Sequence, residues 1–382
     1  MPHDENILCR SFRGATGASE HFIVVKATGG IDFAAQVKCV EDGYRRALAQ
    51  LGLAPETAVF RRIFLSDVMN QADAIRQSDL VDDLTAISIV QQPPLPDAKI
   101  ELLAYHVSGG APSVKHRLSP KHLLVERGRQ RHLWSTRLCA SDNDTSNSSE
   151  AQTREIFDDL IHTLETHGGT LRDHCVRTWI YMKGVDVFYK GMVDSRRELF
   201  EKHGLTGDTH YIASTGIEGA GSHRYDVVLM DAYSNLDLLP NQTTYLNDFD
   251  RLCPTKDYNV TFERGTRIAY ADRAHHYISG TASIDKAGDV IHLGEVIPQL
   301  GLAIENVDAL LRSGGATMAD MMYLIVYLRD PADYRQVDAY LRRHLPELPA
   351  VIVLGAVCRP AWLIEIEGVA VAAHDDPTLP PF

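Results

Sequence analysis

The chain has 382 residues, of which 45% are hydrophobic and 23% charged, and it carries a net charge of −13 at neutral pH. Such a length holds two or three domains, the apolar runs are too short to cross a bilayer, and the acidity repels phosphate backbones, which sets aside membrane-spanning and nucleic-acid-binding classes. The opening residues, Met-Pro-His-Asp-Glu-Asn, lack the apolar stretch of a signal peptide, and Cys9, Cys39, Cys139, Cys175, Cys253 and Cys358 form no Cys-X-X-Cys pair; a cytoplasmic protein with free, mostly buried thiols and no metal is expected.

A spacing recurs three times. Gly52, Gly169 and Gly315 each follow an amphipathic segment, and Phe64, Tyr181 and Tyr327 stand 12 residues further on (64 − 52, 181 − 169, 327 − 315). Three residues later come Asp67, Gly184 and Asp330. Matching spacings of this kind are the signature of repeated units rather than of one large fold.

In the first unit, residues 1–110, the sequence predicts a strand at His21–Lys26 and a helix from about Ala34 to Leu51, with Val37, Val40, Tyr44, Leu48 and Leu51 on one face and Gly52 closing it. A strand at Val59–Leu65, a second helix capped by Asp67 and a closing strand at Lys99–Tyr105 complete it. The Gly-, Pro- and basic-rich run from Val107 to Arg129 reads as a connection.

The second unit, 131–235, opens with a strand at His132–Leu138, followed by the polar loop of residues 141–149. Helices at about Glu150–His167 and Asp186–His203 flank the strand Val176–Met182, and the stretches His210–Gly219 and Tyr225–Tyr233 follow. After a second connection, the third unit, 258–382, predicts strands at Arg267–Tyr270 and His276–Gly280, a helix carrying Val296, Leu300, Ile304, Val307 and Leu311, and a helix opened by Asp330-Pro331. Two β-branched runs, Val351–Val357 and Trp362–Val371, are separated by Cys-Arg-Pro-Ala and read as an antiparallel hairpin. Within the second run Glu365 and Glu367 alternate with Ile364 and Ile366, so both carboxylates face one side of a core strand.

The stretches Tyr277-Ile-Ser-Gly-Thr-Ala-Ser-Ile-Asp285, Glu305-Asn-Val-Asp-Ala-Leu-Leu-Arg-Ser-Gly-Gly315, Val326-Tyr-Leu-Arg-Asp330 and Leu363-Ile-Glu-Ile-Glu-Gly-Val-Ala370 stand in an order and spacing that resembles the Rid (YjgF) family. The resemblance implies an α+β fold of three tandem Rid/chorismate-mutase-like units, each a sheet with helices on one face. Rid proteins are normally homotrimers with sites between subunits, so three units in one chain imply a covalent pseudo-trimer, existing as a monomer or as a dimer of pseudo-trimers. The third unit is closest to the family and the first is degenerate.

Rid proteins hydrolyse imines and enamines, and their Pro-Ala-Arg arginine holds the substrate carboxylate. Pro349-Ala350-Val351 stands there instead. Ala213-Ser-Thr-Gly-Ile217, Ser279-Gly-Thr-Ala-Ser-Ile284 and Cys358-Arg-Pro-Ala-Trp-Leu-Ile-Glu365 are similar to chorismatases, which release pyruvate from chorismate and place a pocket cysteine seven residues before the acid. Both resemblances imply Glu365 as the general acid/base; the substrate-binding candidates are Cys358, Arg359, Tyr211, Ser214, Thr215, Arg224 and Thr281, with Arg359, Arg224 and Arg131 as cations that could replace the missing arginine. A carboxyl desolvated on a core strand keeps its proton near neutrality, which suits attack on a C=C, C=N or enol-ether carbon. The plain alternative is a structural acid at a unit interface. No cofactor is implied, and the expected partner is a small carboxylate-bearing molecule. A non-catalytic binding or chaperone-like module is the rival class. Among the units only the third combines the Ser279-Gly-Thr-Ala282 stretch, the Cys358-Arg-Pro360 turn and the Glu365-Ile-Glu367 strand, whereas the first keeps a lone Glu101 and the second has Leu229 near that place.

Overall fold

Residues 6–28, 32–140, 147–255 and 260–382 are described by a computed structural model. The polar loop at 141–146 and the start of the third unit before residue 260 lie outside them. β1 (Ile7–Arg13) and β2 (Ser19–Lys26) lead into α1 (Phe33–Leu51), β3 (Ala58–Leu65), α2 (Val68–Arg76), β4 (Ala86–Gln91) and β5 (Ile100–Ser108). Helix α1 forms because Val40, Tyr44, Ala47 and Leu48 share a buried face, the Asp32 carboxylate accepts from the Ala35 N–H, and Gly52 ends the helix at φ 64°. Asp67 caps α2 as expected, accepting from the Asn70 N–H.

The second sheet comprises β6 (Ser113–Arg117), β7 (His122–Arg127), β8 (Gln130–Leu138), β9 (Cys175–Met182), β10 (Ala213–Glu218) and β11 (Val228–Asn235), with α3 (Ser149–Thr166), the single turn α4 (Leu171–His174) and α5 (Val185–Lys202). The third comprises β12 (Thr243–Tyr245), β13 (Gly265–Ala269), β14 (Arg273–Ala282), β15 (Met321–Leu328), β16 (Ala350–Leu354) and β17 (Ile364–Ala373), with α6 (Val296–Ser313) and α7 (Tyr334–His344).

One topology recurs. The strand orders are β1-β2-β5-β3-β4, β10-β9-β11-β8-β7-β6 and β12-β13-β14-β17-β15-β16. In each, the last strand is inserted antiparallel between two earlier ones, and a helical crossover adds a parallel edge strand: β3 with β4, β9 with β10, β15 with β16. The repeat is one of register too, since Phe64 faces Glu101, Tyr181 faces Leu229 and Tyr327 faces Glu365.

Two sequence readings are corrected. The runs around 351–357 and 362–371 are not a hairpin, because β15 lies between β16 and β17. A parallel edge strand needs a crossover, which α7 supplies, and the closing strand then returns to the gap beside β14. The span Val107–Arg129 is not merely a connection: β6 and β7 pair as a hairpin on the edge of the second sheet. Its basic residues fasten that edge to the first unit, with Arg117 Nε donating to the Asp83 carbonyl at 3.0 Å and Lys115 Nζ to that of Glu56 at 2.7 Å.

Each sheet touches the other two, through bridges at Gln91–Ala220, Ile217–Val357 and Pro94–Val353. Inward faces meet in a shared core that includes Phe22, Phe60, Trp134, Trp179, Tyr233, Tyr277 and Tyr323. Buried ion pairs run cyclically around it: Arg62 to Asp231 at 3.3 Å, Arg177 to Glu367 at 2.6 Å, and Arg273 to Glu20 at 2.7 Å, so that each unit gives an arginine to the next. Such pairs fix which surfaces meet more than they add net stability. The chain is thus a covalent pseudo-trimer of three α+β units.

Two of the six thiols are buried and four partly so. Among the described residues no helix is long and apolar enough to cross a membrane, and no cluster of three or more His, Cys, Asp and Glu side chains is placed to hold a metal.

Candidate active site

Where β10 and α5 of the second unit meet β14 and β17 of the third, a cavity of about 290 Å³ opens, and Glu365 lines it. The two strands that bracket Glu365 have different roles. In β15 Tyr327 is its cross-strand partner, while in β14 a bulge at Ser279-Gly280 interrupts the pairing beside it. A methyl group on Gly280 would sit 2.3 Å from Glu365 Oε1 and 3.0 Å from Thr215 Cγ2, so the missing side chain is what lets the carboxyl reach the cavity. Gly280→Ala is therefore expected to leave the thermal midpoint nearly unchanged, because only a side-chain end must move, while turnover drops at least about tenfold as the acid is displaced; an ångström of misplacement costs up to about a hundredfold.

Glu365 and Glu367 share a face but not an environment. Glu367 accepts from Arg177 Nη2 at 2.6 Å, from the Tyr327 hydroxyl at 3.0 Å and from the Thr215 hydroxyl. Its repeat counterpart is Asp231, two residues beyond Leu229 as Glu367 is two beyond Glu365, and Asp231 is likewise bonded to an arginine of another unit. Glu367 is thus a structural acid. Glu365, 5% exposed, has no hydrogen-bond partner among the described residues. Burial and then the Glu367 charge push its pKa up to about 8, against the pull of Arg177 and Arg264. It holds its proton at neutral pH.

The other expected residues divide. Ser214 and Thr215 reach the cavity from β10, and Cys358 and Arg359 from the loop before β17. Burial and then the Glu365 charge push the Cys358 thiol up to about 12, far from the range in which a thiol ionises at neutral pH. The Arg359 guanidinium lies 4.7 Å over the Trp362 ring. Four candidates fall elsewhere. Tyr211 lines a neighbouring cavity with His210, Tyr245 and Glu263, because it precedes β10 rather than belonging to it. Arg224 is exposed in the turn before β11. Thr281 is fully buried and donates to the Ser279 carbonyl at 2.9 Å, since the bulge turns its side chain from the opening. Arg131 is held by Asp237 at 2.8 Å.

Two cations went unread in the sequence. Arg196 of α5 is 2% exposed, and its guanidinium donates to the Thr261 hydroxyl at 3.1 Å and the Ser214 hydroxyl at 3.4 Å. Among the described residues it has no carboxylate partner. A buried guanidinium bonded only to neutral oxygens keeps donors for an anion. Arg264, 4% exposed and just before β13, lines the same cavity. The signal for Arg196 was its place on the buried stripe of α5, between Met192 and Leu199-Phe200, where a charge needs a reason.

A family model described as Endoribonuclease L-PSP matches residues 267–372, most of the third unit. The 3-aminoacrylate deaminase RutC of Acinetobacter baylyi is 33% identical over 97 residues, 25% of this chain and 76% of that protein. The chain belongs to the Rid (YjgF) superfamily. A chorismatase crystal structure at 1.08 Å covers 95% of this chain and 98% of its own length, with a TM-score of 0.64 and 17% identity. That likeness is one of fold, and it runs through all three units of this Rid protein. RidA from an Antarctic Psychrobacter covers 34% of this chain and 99% of that one, with 17% identity and a TM-score of 0.30.

Proposed function

We propose that this Rid-superfamily protein hydrolyses a small carboxylate-bearing enol ether of the chorismate type, with Glu365 as proton donor. One observation carries the reading: a buried acid with no hydrogen-bond partner among the described residues, its pKa pushed up to about 8 by burial, faces a cavity that also holds the buried cations Arg196 and Arg264. The arginines take the place of the Pro-Ala-Arg arginine that Val351 replaces. They lie on separate elements, which suits a substrate with two carboxylates.

The Glu365 O–H protonates the methylene carbon of the enol ether, leaving an oxocarbenium ion and a carboxylate that attracts it. Water adds to the cationic carbon, and Glu365 takes up the proton released. The hemiketal collapses: its hydroxyl gives up a proton, the bond between the former enol-ether carbon and the ether oxygen breaks, that oxygen leaves with the ring and takes a proton, and pyruvate and a ring alcohol are released. Cys358, Trp362 and Ile284 provide apolar wall that keeps the acid dry. The test is incubation with chorismate. Stoichiometric pyruvate and a hydroxylated ring product are expected; chorismate recovered intact would reject the reading.

A second reading draws on the 33% identity to a 3-aminoacrylate deaminase. The same acid would protonate the carbon of an enamine, water would add to the iminium carbon, and ammonia would leave. Release of ammonia from 3-aminoacrylate or a related enamine, with chorismate untouched, identifies it.

A further inference from the structure

The register repeat puts Glu101 of the first unit where Glu365 stands in the third, yet their surroundings differ. Glu101 lines a cavity of about 220 Å³ where β2 and β5 meet α7 and β16 of the third unit. It is 1% exposed, and its Oε2 is buried without a hydrogen-bond partner. We propose that this cleft is a second ligand site, distinct from the Glu365 cavity, which takes a small monocarboxylate with an apolar body.

The polar end of the cleft is set by charge. Lys26 is the cross-strand neighbour of Glu101, and its ammonium donates to the Leu95 carbonyl and lies 5.3 Å over the Tyr334 ring. An ammonium has three donors, so others remain for a ligand oxygen. On α7, Arg342 and Asp338 pair at 2.9 Å and nearly cancel. Burial pushes the Tyr334 phenol up to about 12, so it stays neutral. Burial likewise pushes Glu101 up to about 7, with Lys26 opposing. A ligand carboxylate can then accept the Glu101 O–H with one oxygen and a Lys26 N–H with the other. An ammonium ligand would meet Lys26 head on. The far end is apolar, walled by Leu8, Leu341, Leu348 and Ile352. Arg342 lies 12 residues beyond Asp330, as Arg196 lies 12 beyond Gly184 (342 − 330, 196 − 184), so each cleft receives an arginine from the same part of the neighbouring unit's helix.

The test is titration of the full chain with 4-fluorobenzoate, followed by fluorine NMR between pH 6 and 8.5. It is repeated in Arg196→Ala, so that occupancy of the Glu365 cavity is told apart. Binding that survives Arg196→Ala is expected, with affinity falling about tenfold per pH unit above roughly pH 7, because the ligand needs the Glu101 proton. In Glu101→Gln the amide still donates, so binding persists and the pH dependence disappears. Lys26→Met is expected to weaken binding at least tenfold. Affinity independent of pH in the wild type, no effect of Lys26→Met, or a signal lost entirely in Arg196→Ala would each overturn the site. The readout is binding alone, so it stands or falls apart from the reaction assigned to Glu365.

Discussion

Replacing Glu365 by Gln is expected to lower kcat at least about a hundredfold while KM changes little, because the amide keeps the shape and polarity of the carboxyl but cannot give up a proton; general acid catalysis contributes about a hundred- to ten-thousandfold. The pH dependence gives a second, sharper expectation. Burial and the neighbouring Glu367 raise the Glu365 pKa to about 8, so the active, protonated form predominates below that value and is lost above it. Wild-type kcat should therefore hold steady through neutrality and fall about tenfold per pH unit beyond roughly pH 8, and the residual rate of Glu365→Gln should lack that limb. Initial rates of pyruvate release across this range, with near-ultraviolet circular dichroism of both proteins to confirm equal folding, measure both effects. Equal rates in the two proteins, or a wild-type profile falling already at pH 5, would remove Glu365 from the acid role.

The repeat was legible because it depends on local physics. A left-handed Gly follows the first long helix of each unit, Gly52, Gly168 and Gly315, and the chain then returns to the sheet over 12, 13 and 12 residues (64 − 52, 181 − 168, 327 − 315), so Phe64, Tyr181 and Tyr327 fall at equivalent registers. The partner of a strand is a non-local property, and there the reading failed. Nothing in Val351–Leu354 says that it pairs with β15 instead of β17, because a β-branched run has the same pattern in either sheet position. Lys115 and Arg117 made β6 look like a solvated linker, although their donors are spent on carbonyls of the first unit. The site divides the same way. Glu365, Cys358, Ser214 and Thr215 lie in short motifs and come together on one cavity, whereas Arg196 and Arg264 come from a helix and a loop whose sequence neighbours carry no motif, and only the closure of the second unit on the third brings them in.

Truncating Arg196 should be the most damaging change outside Glu365. Removing one partner of a buried charged hydrogen bond costs about 2–5 kcal/mol, so Arg196→Ala is expected to lower kcat/KM between roughly thirty- and several-thousandfold. Arg196→Lys should restore only part of this, since an ammonium cannot hold Thr261 and Ser214 while presenting a planar fork to a carboxylate. A buried arginine can also matter for folding alone, and the substrate's own charge separates the two roles. If Arg196 binds a carboxylate, the wild-type protein should prefer the free acid over the corresponding methyl ester by a large factor, and Arg196→Ala should erase most of that preference by losing activity on the acid while the slower reaction of the ester changes little. Equal proportional losses on acid and ester would show that Arg196 supports the cavity wall without touching the substrate, and the carboxylate would then have to be sought at Arg264 or at Arg359 on the cavity rim.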